Sequence, residues 1–192
     1  MTETARRLSL TGTWDLDTVH TRLGFAARHA MVATVHGNFA VFSGVLHLDE
    51  EDPTKSSAEV HIDAASVFTG NEQRDGHLRS PDFLDVVHYP EIVFRSTKAE
   101  VGDDENEYRL TGDLTIRGQS RPVVLDLEFQ GTAVDPYGNQ RAGFEGKATI
   151  NRKDWGLTWN AAMETGGIMV GDRVKLQLDV SAIKRAEDSS TG

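Results

Sequence analysis

With 192 residues, 38% of them apolar, the chain is sized for one domain around a single core. Its formal net charge of −10 disfavours nucleic-acid binding and docking through a basic patch on anionic headgroups. The absence of cysteine excludes disulfides, thiolate catalysis, iron–sulfur clusters and cysteine zinc sites. No stretch approaches the roughly 18 apolar residues of a membrane-spanning helix. The opening MTETARRLSLTGTWDLD holds no apolar run of signal-peptide length, so a cytoplasmic location is expected.

In chain order, residues 1–11 read as a flexible leader, 12–184 as one barrel domain and 185–192 as a polar tail. Trp14 and Leu16 mark an opening strand. A second runs from about Thr21 to Ala30, with Leu23, Phe25 and Ala27 on one side. A third runs from about His36 to Asp49, where Phe42, Gly44, Leu46 and Leu48 share a face. Ala58, Val60 and Ile62 alternate with polar neighbours in the next. The polar stretch Thr69–Leu84 breaks this rhythm. It predicts a short helix capped by Thr69 or Asn71 with Leu78 on its buried side, and a second short helix from Pro81 to Asp85. Period two then resumes at Ile92, Phe94 and Ser96, and at Leu110, Gly112, Leu114 and Ile116. It continues through Val123, Leu125, Leu127 and Phe129, then Phe144, Gly146, Ala148 and Ile150, and ends at Val174, Leu176, Leu178 and Val180. Turn-forming residues such as Gly118-Gln119 and Asp135-Pro136-Tyr137-Gly138 separate the runs. About eight strands, each with one dry face, must close into an antiparallel barrel or stack as a sandwich.

Small residues recur on the dry faces: Gly44, Ala58, Gly112, Gly146 and Ala148, among Phe25, Phe42, Phe94, Phe129 and Phe144. They either leave room for a ligand or relieve strain in a filled core, and alternation does not choose between the two.

Catalytic motifs are missing. There is no GxSxG elbow, GxGxxG loop or P-loop. His20, His29, His36, His47, His61, His77 and His88 are scattered without HExxH or His-x-His spacing, so no metal site is expected, and His20 and His29 read as structural. The densest polar cluster is Arg74, Asp75 and His77. As chemistry it is an acid–base pair held by a carboxylate; as structure it is a helix cap with an ion pair.

Several blocks resemble the YceI-like family of lipocalin-like, polyisoprenoid-binding proteins. These are Trp14-Asp15-Leu16-Asp17-Thr18-Val19-His20-Thr21, Gly37-Asn38-Phe39 and Phe42-Ser43-Gly44, then Arg74-Asp75-Gly76-His77-Leu78-Arg79-Ser80-Pro81-Asp82-Phe83-Leu84-Asp85. Tyr89-Pro90-Glu91-Ile92-Val93-Phe94-Arg95-Ser96, Gly112-Asp113-Leu114-Thr115-Ile116-Arg117-Gly118, Asn151-Arg152-Lys153-Asp154-Trp155-Gly156 and Val170-Gly171-Asp172-Arg173-Val174 complete the match. Trp155 stands where a Phe is more usual, and the signal peptide that many relatives carry is not visible.

The resemblance implies an all-β, extended eight-stranded antiparallel β-barrel with a short helical insertion near 71–85 and an internal tunnel. It implies a non-enzymatic protein that binds, stores or transports a long-chain amphiphile such as a polyisoprenoid or isoprenoid quinone. No other cofactor is required, and a homodimer is expected. The tunnel lining expected is Phe25, Phe42, Leu46, Val60, Ile62, Phe94, Leu114, Ile116, Leu127, Phe129, Phe144, Ile150 and Leu176. Arg28, Arg74, His77 and Asn160 are the candidates for a head-group contact. The alternative is an enzyme acting on a small apolar substrate in the same barrel, with Arg74, Asp75 and His77 as its polar end.

Overall fold

The computed structural model describes residues 8–186. Its strands are β1 (Gly12–Leu16), β2 (Arg22–His29), β3 (Ala33–Phe39), β4 (Phe42–Leu48), β5 (Ser57–Asp63), β6 (Val67–Phe68), β7 (Glu91–Val101), β8 (Glu107–Ile116), β9 (Gln119–Val134), β10 (Gln140–Asn151) and β11 (Val170–Lys184). One α-helix, α1 (Glu72–Arg79), lies between β6 and β7. All pairings are antiparallel. β1-β4-β5-β7-β8-β9-β10-β11 form a ring that closes where Trp14–Leu16 meet Ala182–Lys184. Closure removes the free sheet edges that an open sheet of this size would expose.

Three of the eight staves are broken. β1 and β2 both lie along β11, β3 continues into β4, and β5 into β6. The first break, Asp17–Thr21, is repaired at Ser181. The Asp17 N–H and the Thr21 hydroxyl both donate to its carbonyl, and the Ser181 N–H donates back to Thr21 Oγ1 at 3.0 Å. The second, at Ala40 and Val41, is tied to Ser66, which lies in the third. The strand expected as one piece from His36 to Asp49 is therefore two. A buried main-chain group without a partner costs about 1–3 kcal/mol, so such breaks persist only where other donors and acceptors stand in.

Beyond the breaks β2, β3 and β6 leave the ring, and no ladder joins β6 to β7. The polar segment expected to be helical fills that end. Asn71 caps α1 by accepting from the Arg74 N–H at 2.9 Å, and Ser80 ends it. The second helix expected over Pro81–Asp85 is a run of turns instead. Its main chain folds back, with Leu84 N donating to Leu78 O and Asp85 N to Ser80 O, which turns Phe83 and Leu84 inward.

Two strand irregularities were not legible in the alternation. Thr97 is an extra residue in β7, so that Ser96 faces Gly112 but Lys98 faces Thr111; the strand continues to Val101 with Ala99 inward. Gln130 plays the same part in β9 opposite Gly143 and Phe144. The β8–β9 hairpin turns on Arg117 and Gly118, both with positive φ (49° and 68°), as a two-residue turn between right-twisted strands requires.

The leader and tail lie only partly within the described residues; 1–7 and 187–192 fall outside. Residues 9–11 are fastened to the barrel: Leu10 N donates to Glu50, Leu10 O accepts from Trp14 Nε1, and Lys184 Nζ donates to Ser9 O. Arg185 pairs with Asp15 at 2.7 Å.

Candidate ligand channel

Two cavities lie end to end inside the barrel, of about 170 Å³ towards the β4–β5 and β7–β8 turns and about 240 Å³ towards α1. Leu23, Val60, Phe94, Leu125 and Leu178 line both and form a girdle between the two halves of the barrel interior. The lining of the larger half is almost wholly apolar. Of the expected lining, Leu46, Leu127, Phe129 and Phe144 face the smaller half. Phe25, Ile62, Leu114, Ile116, Ile150 and Leu176 face the larger, and Val60 and Phe94 face both. Phe42 faces neither: it is buried in a cluster with Trp14, Leu16, Leu23 and Ala182.

The inward glycines do not make the room. A methyl group on Gly112 would stand 2.5 Å from the Phe94 ring and 2.6 Å from the Arg95 carbonyl. One on Gly44 would stand 2.6 Å from Leu16 Cδ1, and one on Gly146 2.8 Å from Leu127 Cδ2. Each glycine admits a neighbouring side chain, and the open space lies beside those side chains. Ala58 does border the smaller half.

None of the four head-group candidates lines either half. Arg28 is exposed on the outer face of β2. Arg74 donates from Nε to Thr69 Oγ1 at 2.7 Å and from Nη2 to Thr69 O at 3.0 Å. Asn160 accepts at 3.0 Å from the N–H groups of Met169 and Val170 and donates to Val170 O, closing the 157–170 loop. His77 Nε2 is 2.8 Å from Asp82, and its ring packs edge-on against Phe83 and Trp159. Asp75, buried beside Arg74, accepts from the Thr69 N–H and hydroxyl. Arg74 and Asp75 thus converge on Thr69 and His77 turns away to Asp82, so the cluster does not assemble as an acid–base pair. It fastens α1 while Leu78, Phe83 and Leu84 project into the larger half.

Polar residues at the smaller half, Asp49, Glu50, Ser56, Ser57, Tyr108 and Arg109, lie towards the turns, and the charged side chain that reaches the larger half is Arg152, only 5% exposed. It follows β10 and is held by a tight turn ending at Gly156, whose φ of +76° suits glycine. Nε donates to Gly171 O, Nη1 to Leu157 O at 2.6 Å and Trp159 O at 2.9 Å, and Nη2 to Val170 O at 3.2 Å. Burial pulls the guanidinium pKa down, and the nearby Asp172 charge opposes that shift. Arg152 therefore pins both ends of the 157–170 loop over the mouth. Trp155 is buried too, its indole N–H donating to Leu114 O at 2.8 Å, so the larger ring finds a partner in this barrel wall.

At the outer wall near the first break, Asp17 accepts from Arg141, His20 and the Val19 N–H. Burial opposes its charge, but these donors outweigh burial and hold its pKa at about 2. Among the described residues no three His, Asp or Glu side chains converge as metal ligands.

A barrel of this architecture has known counterparts. The model of the YceI-like domain matches residues 14–182. The chain belongs to the YceI-like family. A UPF0312 protein of Staphylococcus epidermidis is 38% identical over 165 residues, covering 85% of this chain and 93% of its own. The crystal structure of the Campylobacter jejuni YceI protein superposes with a TM-score of 0.71 at 31% identity, covering 83% of this chain and 90% of that one. A polyisoprenoid binding domain from Saccharophagus degradans shares the fold, with a TM-score of 0.68 at 18% identity over 90% of this chain and 98% of its own. The eight-stranded YceI-like barrel expected from the sequence is the fold observed.

Proposed function

We propose that this YceI-like protein stores or carries one long-chain isoprenoid lipid, a polyisoprenoid or an isoprenoid quinone, with its tail threaded through the channel. The two cavities, end to end and joined at an apolar girdle, carry this reading. The lining on β8 runs from Tyr108 to Ile116. At ~3.4 Å per residue and a strand tilt of ~40° that is roughly 20 Å along the barrel axis, long enough for several isoprene units in extended form. Each buried carbon contributes up to about 0.8 kcal/mol, so a tail binds without any polar contact, in keeping with a larger half that offers almost none. The polyisoprenoid binding named for the Saccharophagus domain, which has the same barrel, supports the assignment. The enzyme alternative loses its polar end, because Arg74, Asp75 and His77 are engaged elsewhere.

The test is mass spectrometry of an organic extract of the purified protein. A stoichiometric prenyl lipid is the expected result. An extract with no lipid, together with no uptake of added prenyl alcohols, would refute it.

A further inference from the structure

The larger half of the channel opens towards the β2–β3 hairpin and the 157–170 loop, and both raise apolar side chains into solvent. Met31 is 60% exposed, Val32 83% and Ile168 43%. The two segments act as one rim. Met31 sulfur lies against Gly167, and the Ala30 N–H donates to Met169 O at 2.7 Å. The base of the rim, Leu157 and Val170, is channel wall. The hairpin tip is also strained: Ala30 and Met31 take φ of 50° and 62°, where Asn and Gly are the residues that fit. The fold thus keeps a long apolar side chain at an exposed point that turn geometry alone would give to a small polar one.

A cationic strip lies next to this rim. Lys175 and Arg173 on β11 and Arg28 on β2 are exposed on the outer face, since their inward neighbours Val174, Leu176 and Ala27 line the channel. Their cross-strand partners are Thr149 and Ala26, Asn151, and Thr34, and none of these is acidic. Asp172, the nearest carboxylate along β11, is already engaged by Lys153 at 3.3 Å and Arg152 at 3.7 Å. The turns at the opposite end of the barrel instead carry Glu50, Glu51, Asp52, Asp103, Asp104 and Glu105. The mouth end also carries acids, Glu164 in the 157–170 loop and Glu72 and Asp82 around α1, but the strip of Arg28, Arg173 and Lys175 on β2 and β11 gives an anionic surface a local cationic face to meet there.

We propose that this rim docks on an anionic lipid bilayer, with Met31, Val32 and Ile168 entering the headgroup layer and Arg28, Arg173 and Lys175 facing its phosphates, so that the channel mouth meets the source of its ligand. The inference rests on the lipid-holding reading above and adds the site of loading. It revises the expectation drawn from net charge, because headgroups respond to local charge within a Debye length of about 8–10 Å.

The test uses the full chain and a dansyl-labelled geranylgeranyl probe offered either from cyclodextrin or from vesicles. The vesicles are phosphatidylcholine alone or a phosphatidylcholine–phosphatidylglycerol mixture. The wild-type protein is expected to float with the mixed vesicles at low salt and to withdraw the probe from them faster than from neutral ones. The Arg28→Gln/Lys175→Gln variant is expected to bind mixed vesicles about thirtyfold more weakly, at roughly fivefold per cation. The Met31→Ser/Val32→Ser variant is expected to lose transfer from both kinds of vesicle. Both variants should take the probe from cyclodextrin as wild type does, which shows that they are folded and that the channel is intact. Normal cyclodextrin loading with vesicle binding indifferent to phosphatidylglycerol and to all four substitutions overturns the docking surface alone. Failure of the wild type to take the probe from cyclodextrin overturns the lipid reading and the docking surface with it. Binding to heparin that matches binding to mixed vesicles and survives Met31→Ser/Val32→Ser overturns the assignment to a bilayer.

Discussion

If the two cavities are one channel, the girdle between them is where a tail can be stopped. Val60 borders both halves and sits in β5 between Gly44 of β4 and Phe94 of β7. Val60→Phe places a ring at the narrowest point while leaving the mouth near α1 untouched. A tail cut off there loses its burial in the smaller half, about 170 Å³. For one isoprene unit, about five carbons, transfer values of about 0.8 kcal/mol per carbon set an upper bound near 4 kcal/mol. The lower yield of large ligands, about 0.3 kcal/mol per atom, sets a lower bound near 1.5 kcal/mol. The expected loss is therefore at least about tenfold per excluded unit. The assay is displacement of a fluorescent prenyl probe by prenyl alcohols of increasing length. Wild-type affinity should climb until the chain fills both halves. The variant should follow the same line for short alcohols and then level off. Thermal melting shows whether the ring overpacks the girdle, which would cost about 1–3 kcal/mol. Parallel length dependence in the two proteins, both folded, would refute the single channel.

Arg152→Lys keeps the charge but cannot reach four carbonyls at once. It should cost about 3 kcal/mol and lower the melting temperature by roughly 6–12 °C, with hydrogen exchange rising first over 157–170. Asp17, with a folded-state pKa of about 2 against ~3.9 when unfolded, contributes stability that is fully present above about pH 4 and is lost as pH falls towards 2. Asp17→Asn should flatten the acid limb of the stability curve in that window. The effect is expected to be on the order of 1 kcal/mol once solvent screening at the barrel wall is allowed for, and denaturant titration at stepped pH checks it.

The barrel wall was legible because its physics is local. A strand with one dry face alternates, and the inward residues of β5, β8, β9, β10 and β11 follow directly. What alternation cannot give is depth along the axis. Phe42 has the inward phase of Leu46 and shares its buried cluster, yet only Leu46 borders a cavity, so the packing of neighbours and not the phase separates packing residues from lining ones. The same limit applies to the glycines, whose small size signalled space that Phe94, Leu16 and Leu127 occupy. The break at Ala40 and Val41 and the extra residue Thr97 depend on partners distant in sequence, and no run of neighbours announces them. Arg152 was visible only as one letter of a motif. Its role emerges when β10 and the 157–170 loop are brought within reach of one guanidinium.

Of the head-group candidates, Arg74, His77 and Asn160 are engaged within the protein, and the same holds for other polar residues of the family blocks. Asp75, Arg74, Thr21, Asn160 and Arg152 all bond to main chain or to residues that do. This barrel breaks three of its staves and covers one end with α1, and every break removes ladder bonds worth about 1 kcal/mol each while exposing buried peptide groups. The polar residues restore those bonds at Ser181, Thr69 and Val170. Their side-chain geometry is demanding, so they make recognisable motifs. The bore asks only for apolar bulk, so Leu, Ile, Val and Phe can exchange there. The motifs therefore mark the bonds that hold the broken barrel together, and of the girdle residues Phe94 lies in one of them and Val60 in none.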